Sequence, residues 1–122
     1  MDTRTKILTV AAARQIAPPV ALAIGFFDVL RAEHIRELRE IRDLSTLLVV
    51  VVLPLAGALL DQRSRAELVA GLRMVDYVVA ADHGDVDALI DSLKPVQLAR
   101  LEVADARRAR QLIEHVHRRQ TL

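Results

Sequence analysis

The chain has 122 residues, 52% hydrophobic and 27% charged, which is the composition of one globular domain rather than of a disordered segment. Seventeen Lys and Arg against sixteen Asp and Glu leave a net charge of +1, which argues against a broad electrostatic surface for nucleic acid. The absence of cysteine excludes a disulfide framework, a thiolate zinc site and a thiol nucleophile, and three aromatics (Phe26, Phe27, Tyr77) are too few for a base-stacking platform.

Two segments imitate membrane signals. The first thirteen residues have a basic start and a short apolar stretch, but Asp2 and Thr9 spoil it as an export signal. Leu47–Leu60 is uncharged over fourteen residues, yet a spanning helix needs about twenty, and Pro54 interrupts the run. A soluble, cytoplasmic protein without a membrane partner is expected.

In chain order, Lys6–Ile16 is expected to be a leading helix, stopped by Ala17-Pro18-Pro19. Val20–Ile24, closed by Gly25, is expected to be a buried strand. Ala32–Asp43 places Ile35, Leu38 and Ile41 at spacing three among charged residues, an amphipathic helix. Leu47–Leu53 is apolar on both faces, as in a parallel sheet covered by helices. Ser64–Met74 reads as a helix capped by Ser64 with Glu67, its apolar face carried by Leu68, Leu72 and Val75. Val75–Ala80 is a third strand, Asp85–Leu93 a helix broken at Lys94-Pro95, and Val96–Leu101 a fourth strand. Asp105–Arg119 is a closing helix. Strands alternating with helices imply an α/β fold with a mainly parallel sheet and right-handed crossovers in a single domain spanning residues 1–122.

The informative stretch joins the first of these strands to its helix: Gly25-Phe26-Phe27-Asp28-Val29-Leu30-Arg31-Ala32-Glu33-His34. It resembles the G-x-F-D-x-x-H-x-G-H signature of the cytidylyltransferase-like nucleotidyltransferases. The likeness continues through Arg65-Ala66-Glu67-Leu68-Val69 and Val75-Asp76-Tyr77-Val78-Val79, and the leading Lys6-Ile7-Leu8 is similar to the branch that activates heptose phosphates. It covers roughly residues 6 to 96. The resemblance implies a doubly wound, Rossmann-like α/β sheet of the nucleotidyltransferase type, here shortened at its C-terminus. It also implies transfer of a nucleotidyl group from CTP or ATP, with Mg²⁺, to a sugar or alcohol phosphate, and a homodimer.

The chemistry suits those residue types. A helix amino end after a glycine turn offers free N–H groups and a positive dipole end to phosphates. Histidines on that first turn donate to phosphate oxygens as charge develops. By resemblance, His34 and Arg31 are the candidate catalytic residues, and Gly25, Phe26, Phe27, Asp28 and Arg65 the candidate nucleotide-binding residues. No metal ligand set is expected.

The chain departs from the pattern in three places. Arg31 stands for the first histidine and Glu33 for the glycine, Pro54–Arg65 lacks the family's lysine, and the late Ser/Thr-rich motif is missing. A guanidinium binds phosphate well, but Glu33 adds bulk and negative charge where phosphates should lie. The first expectation is therefore a degenerate member that keeps a nucleotide or phosphate pocket with weak or lost transfer. The alternatives are an active transferase in which Arg31 replaces the histidine, and a non-catalytic dimeric interaction module. Plainer readings stand beside the site residues. Asp28 suits a helix amino end, His34 an ordinary polar surface position, and Arg31 and Glu33 a solvated helix start. His83-Gly84-Asp85 lies where α/β sites gather and equally suits a turn. His115 and His117, two apart, face about 200° away from each other on a helix and make no metal pair. The arginines at 107, 108, 110, 118 and 119 suit a solvated helix face.

Overall fold

Val49–Val52 is the strongest β-forming stretch of the chain, and it lies near the middle of the sheet. The computed structural model describes residues 2–42 and 47–102. Five strands, β1 (Ile7–Leu8), β2 (Val20–Gly25), β3 (Leu47–Val52), β4 (Tyr77–Ala80) and β5 (Gln97–Arg100), lie in the order β1-β4-β3-β2-β5. Every pairing is parallel, with Leu22 opposite Val49 on one side and Leu98 on the other. The helices are α1 (Val10–Ala13), α2 (Ala32–Arg42), α3 (Gln62–Ala70) and α4 (Val86–Leu93). This is the Rossmann-like α/β sheet expected from the sequence.

Strand side chains alternate between two cores. Ala21, Ala23, Leu48, Val50, Val52 and Val78 meet Leu38 and Ile41 of α2 and Ala66, Val69 and Ala70 of α3. Val20, Leu22, Ile24, Val49, Val51 and Val79 meet Ala13 of α1 and Val86, Leu89 and Leu93 of α4. Burying one Val or Leu side chain contributes about 1.5–3 kcal/mol, so these two layers outweigh any single cap or ion pair.

Four local expectations are corrected. Lys6–Ile16 is not one helix: Thr3–Lys6 is a 3-10 turn, Ile7 and Leu8 pair with Val78 and Val79, and only Val10–Ala13 is helical. The ladder offered by the edge of β4 outweighs helix propensity there, and the Thr9 hydroxyl then accepts from the Ala12 N–H at 3.1 Å to start α1. On α2 the buried residues are His34, Leu38 and Ile41, while Ile35 is only partly covered. Spacings of four and three keep those side chains within about 60° of arc, whereas repeated spacings of three drift by about 60° per step. The helix α3 starts earlier than expected, because Asp61 rather than Ser64 caps it; Asp61 Oδ1 accepts from the Ser64 N–H at 2.7 Å. It also ends earlier, at Gly71, and buries Arg65, Ala66, Val69 and Ala70 while Leu68 stays half-exposed.

The other elements agree within a residue or two. Lys94 closes α4 in the left-handed conformation at φ 44°, its N–H donating to the Ile90 carbonyl at 2.9 Å, and Pro95 follows. Asp76 fastens the amino ends of the strands. Its Oδ2 accepts from the Leu48 N–H at 2.7 Å and pairs with Arg42 Nε at 3.3 Å. The expected Asp105–Arg119 helix, with His115, His117 and the five arginines, lies outside the described residues.

One feature of the strand order positions the site. From β2 the chain steps to β3 and β4 on one side, then returns through α4 to place β5 on the other side. The direction reverses at the β2–β5 boundary, and in open α/β sheets the crevice at that boundary's carboxyl ends is where ligands bind.

Candidate nucleotide site at the carboxyl end of β2

Gly25 ends β2, its carbonyl accepting the Leu53 N–H at 3.0 Å. The next two side chains part to opposite faces of the sheet. Phe26 packs on the α1/α4 side with its ring edge-on to His83, centroids 6.2 Å apart. Phe27 is buried in the α2/α3 core, 5.4 Å from the His34 ring. Phe27 adopts φ 51°, the left-handed region, which costs a side-chain-bearing residue about 1–2 kcal/mol. That one residue turns the chain from the sheet toward the amino end of α2.

Arg31 occupies the position before α2. Its carbonyl accepts the N–H groups of His34 at 3.1 Å and Ile35 at 3.3 Å. His34 answers in the other direction, its Nδ1 accepting the Arg31 N–H at 3.0 Å. This is one half of a capping box, with a histidine ring in the place of the usual Glu or Gln side chain; the arginine side chain has no acceptor and cannot supply the other half. An accepting ring nitrogen carries no proton, so the ring's N–H lies on Nε2. His34 is only 2% exposed, Arg31 is partly exposed and Glu33 is exposed on the same first turn.

Two side chains tie this turn to the β3–α3 loop. Asp28 Oδ1 accepts from the Leu59 N–H at 2.9 Å and the Leu60 N–H at 3.4 Å. Arg65, 2% exposed, reaches back from α3: Nη1 donates to the Phe26 carbonyl at 2.7 Å and the Leu53 carbonyl at 2.8 Å, and Nε to the Leu60 carbonyl at 3.1 Å. Burial pushes the Arg65 guanidinium down from its ordinary value, and the Asp28 and Asp61 carboxylates oppose that shift. An arginine so placed stays charged at neutral pH.

The seven sequence-predicted residues lie around one turn, Gly25, Phe26, Phe27, Asp28, Arg31 and His34 along it and Arg65 across it, but their side chains diverge: Phe27, His34 and Arg65 are buried, and Phe26 packs on the opposite face of the sheet from Phe27. Sequence reasoning missed Gln62. Its Nε2 donates to the Val52 and Ala81 carbonyls, each at 2.9 Å, joining the carboxyl ends of β3 and β4. No local pattern signals this role, because its partners are main-chain carbonyls 10 and 19 residues away. His83 stands on the same rim, in the 3-10 turn after β4. Among the described residues, no group of three or more His, Cys, Asp and Glu is placed to hold a metal, and no helix is long and apolar enough to cross a membrane. An open hollow of about 430 Å³ bordered by Leu8, Ala12, Ile16, Leu47 and Tyr77 lies toward the amino ends of β3 and β4, away from this turn.

A parallel sheet with a reversal beside β2, a glycine-closed strand and a helix amino end at the carboxyl end of that strand define a Rossmann-like α/β fold. Comparison with known proteins narrows the class. No family model matches the chain. An FAD synthase from Thermoplasma volcanium is 33% identical over 81 residues, which cover 61% of this chain and 57% of that protein. A bifunctional protein HldE from Syntrophotalea carbinolica is 33% identical over 91 residues, covering 67% of this chain and 19% of that protein. The crystal structure of a lipopolysaccharide core biosynthesis protein from Thermoplasma volcanium is 30% identical with a TM-score of 0.59, covering 66% of this chain and 71% of that one. The chain belongs to the cytidylyltransferase-like nucleotidyltransferase family. It spans about half the length of the FAD synthase and a fifth of the HldE protein it matches.

Proposed function

We propose that this domain keeps the family's nucleotide pocket at the Gly25–His34 turn but transfers nucleotidyl groups weakly or not at all. The observation that carries the reading is the first turn of α2. It lies at the sheet reversal with the dipole's positive end, and His34 is buried there with its hydrogen on Nε2, while Glu33 puts an exposed carboxylate on that turn. In this reading CTP or ATP binds with its phosphates against the amino end of α2, and Arg31 and His34 donate to them. Mg²⁺ arrives on the triphosphate oxygens, as it does where substrate phosphates supply most of its ligands. A cytoplasmic homodimer belongs to the same reading and rests on the family resemblance.

A second reading, favoured by a partly exposed arginine, Arg31, at the helix start, is an active transferase. An acceptor phosphate oxygen then attacks the α-phosphorus, the bond to the β-phosphate breaks, and pyrophosphate leaves with its electron pair while Arg31 and His34 meet the developing charge. The acceptor class is a sugar or alcohol phosphate.

Calorimetric titration with CTP and then ATP, each with Mg²⁺, tests the pocket. Micromolar binding lost in Arg31→Ala or His34→Ala is the expected result. No heat with either nucleotide at millimolar concentration refutes both readings and leaves a non-catalytic interaction module. Pyrophosphate release on adding a sugar or alcohol phosphate separates the second reading from the first.

A further inference from the structure

The Phe26–Arg31 turn contains an unfavourable conformation, Phe27 at φ 51°, and something has to hold it. The peptide that enters Phe27 carries the Phe26 carbonyl, and Arg65 Nη1 donates to that oxygen at 2.7 Å. The same guanidinium holds the Leu53 carbonyl just past β3 and the Leu60 carbonyl just before α3. Asp28, one residue beyond Phe27, sends its carboxylate the opposite way, to the N–H groups of Leu59 and Leu60. The two loops are thus tied in both directions, one by a cation on carbonyls, the other by an anion on amides. Arg65 is buried and its three bonds go to main-chain carbonyls, so its cost of desolvation is met by backbone oxygens on three segments.

We infer that Arg65 and Asp28 form a reciprocal clamp whose task is to fix the left-handed turn and aim the amino end of α2 at the nucleotide phosphates. Arg65 is then a positioning residue that acts through the Phe26 carbonyl rather than by touching phosphate itself. This inference rests on the nucleotide-pocket reading above. A lysine at 65 keeps the charge but reaches with one nitrogen, and it cannot span three carbonyls that lie on different segments.

The test uses the full chain, with hydrogen exchange read by mass spectrometry and affinity for ATP with Mg²⁺ read by calorimetry. In Arg65→Lys, exchange over residues 26–31 and 58–61 rises about tenfold or more while that over residues 47–53 is unchanged, and the dissociation constant rises at least about tenfold. Asp28→Ala, at a partly exposed position, moves both readouts in the same direction and decides the matter if Arg65→Lys does not fold. Arg63→Ala, which removes only an outward pair with Glu67, leaves both unchanged. Exchange rising evenly through β3 overturns the clamp, because that is what general loss of stability produces. Wild-type binding that persists within about twofold in both variants also overturns it. A wild-type chain that binds no nucleotide overturns the function reading, and this inference with it.

Discussion

In the proposed pocket, Glu33 sets the stability of α2 against affinity for the nucleotide. It lies in the first turn of the helix, exposed, where a carboxylate stabilises the positive dipole end by about 0.3–1 kcal/mol. The same field would hold a phosphate, so the carboxylate and the nucleotide compete for it. At about 4 Å in a water-like surround, two unit charges repel by about 1 kcal/mol. A Mg²⁺-bound triphosphate retains about two negative charges, which doubles that to about 2 kcal/mol, or about thirtyfold in affinity. Glu33→Gln keeps the shape and helix propensity of the side chain and removes the charge. It is expected to tighten ATP binding about thirtyfold in low salt, with less gain in high salt, and to lower the melting temperature slightly. Glu33→Gly restores the residue the family pattern has here and adds roughly 0.5–1 kcal/mol of helix cost, so it melts several degrees lower while binding at least as tightly as Glu33→Gln. Calorimetry with ATP and Mg²⁺ at two ionic strengths, beside thermal melts, reads both effects. Unchanged affinity in both variants would refute the electrostatic argument and place the phosphates elsewhere.

Three further outcomes follow from the geometry. Asp76→Ala leaves the Leu48 N–H without its 2.7 Å partner and removes the pairing to Arg42, costing about 1–3 kcal/mol in denaturant titration with no change in nucleotide affinity. Leu38→Ala, fully buried between α2 and the sheet, costs about 2–5 kcal/mol by the same measurement. The Asp61 carboxyl is held below its ordinary value mainly by the Ser64 backbone N–H, so its contribution is present above the unfolded value of about 4 and is lost as pH falls through the lower folded value. Asp61→Ala should therefore melt below the wild type at neutral pH, and the gap should close under acid; a gap independent of pH would contradict the cap.

Much of the candidate site's placement was legible because it is local. Gly25 through His34 are contiguous, so a strand, a turn and a helix start keep them near one another, while the shape of the turn between them is held by Arg65 and by the Asp28 contacts to the β3–α3 loop. The alternation of apolar runs with amphipathic stretches likewise announced a covered parallel sheet, and Leu47–Val52, buried along nearly its whole length, is where that sheet was expected. His34 was harder to read. Its burial follows from the i, i+4, i+7 row with Leu38 and Ile41, a pattern present in the sequence but masked by the more obvious Ile35.

What the sequence by itself determined is the order and kind of the elements, since periodicity and turn chemistry act over a few residues. What only the tertiary structure decided is which long-range partners those elements find. Ile7 and Leu8 became a strand because the edge of β4 was there to pair with them. Arg65 became a buried brace because Phe26, Leu53 and Leu60, up to 39 residues away, bring three carbonyls to its guanidinium. Gln62 found the ends of β3 and β4 in the same way. A main-chain carbonyl left bare at a strand's end is the same in every residue type, so nothing in the sequence marks which side chain will reach it; only the packing of the chain does.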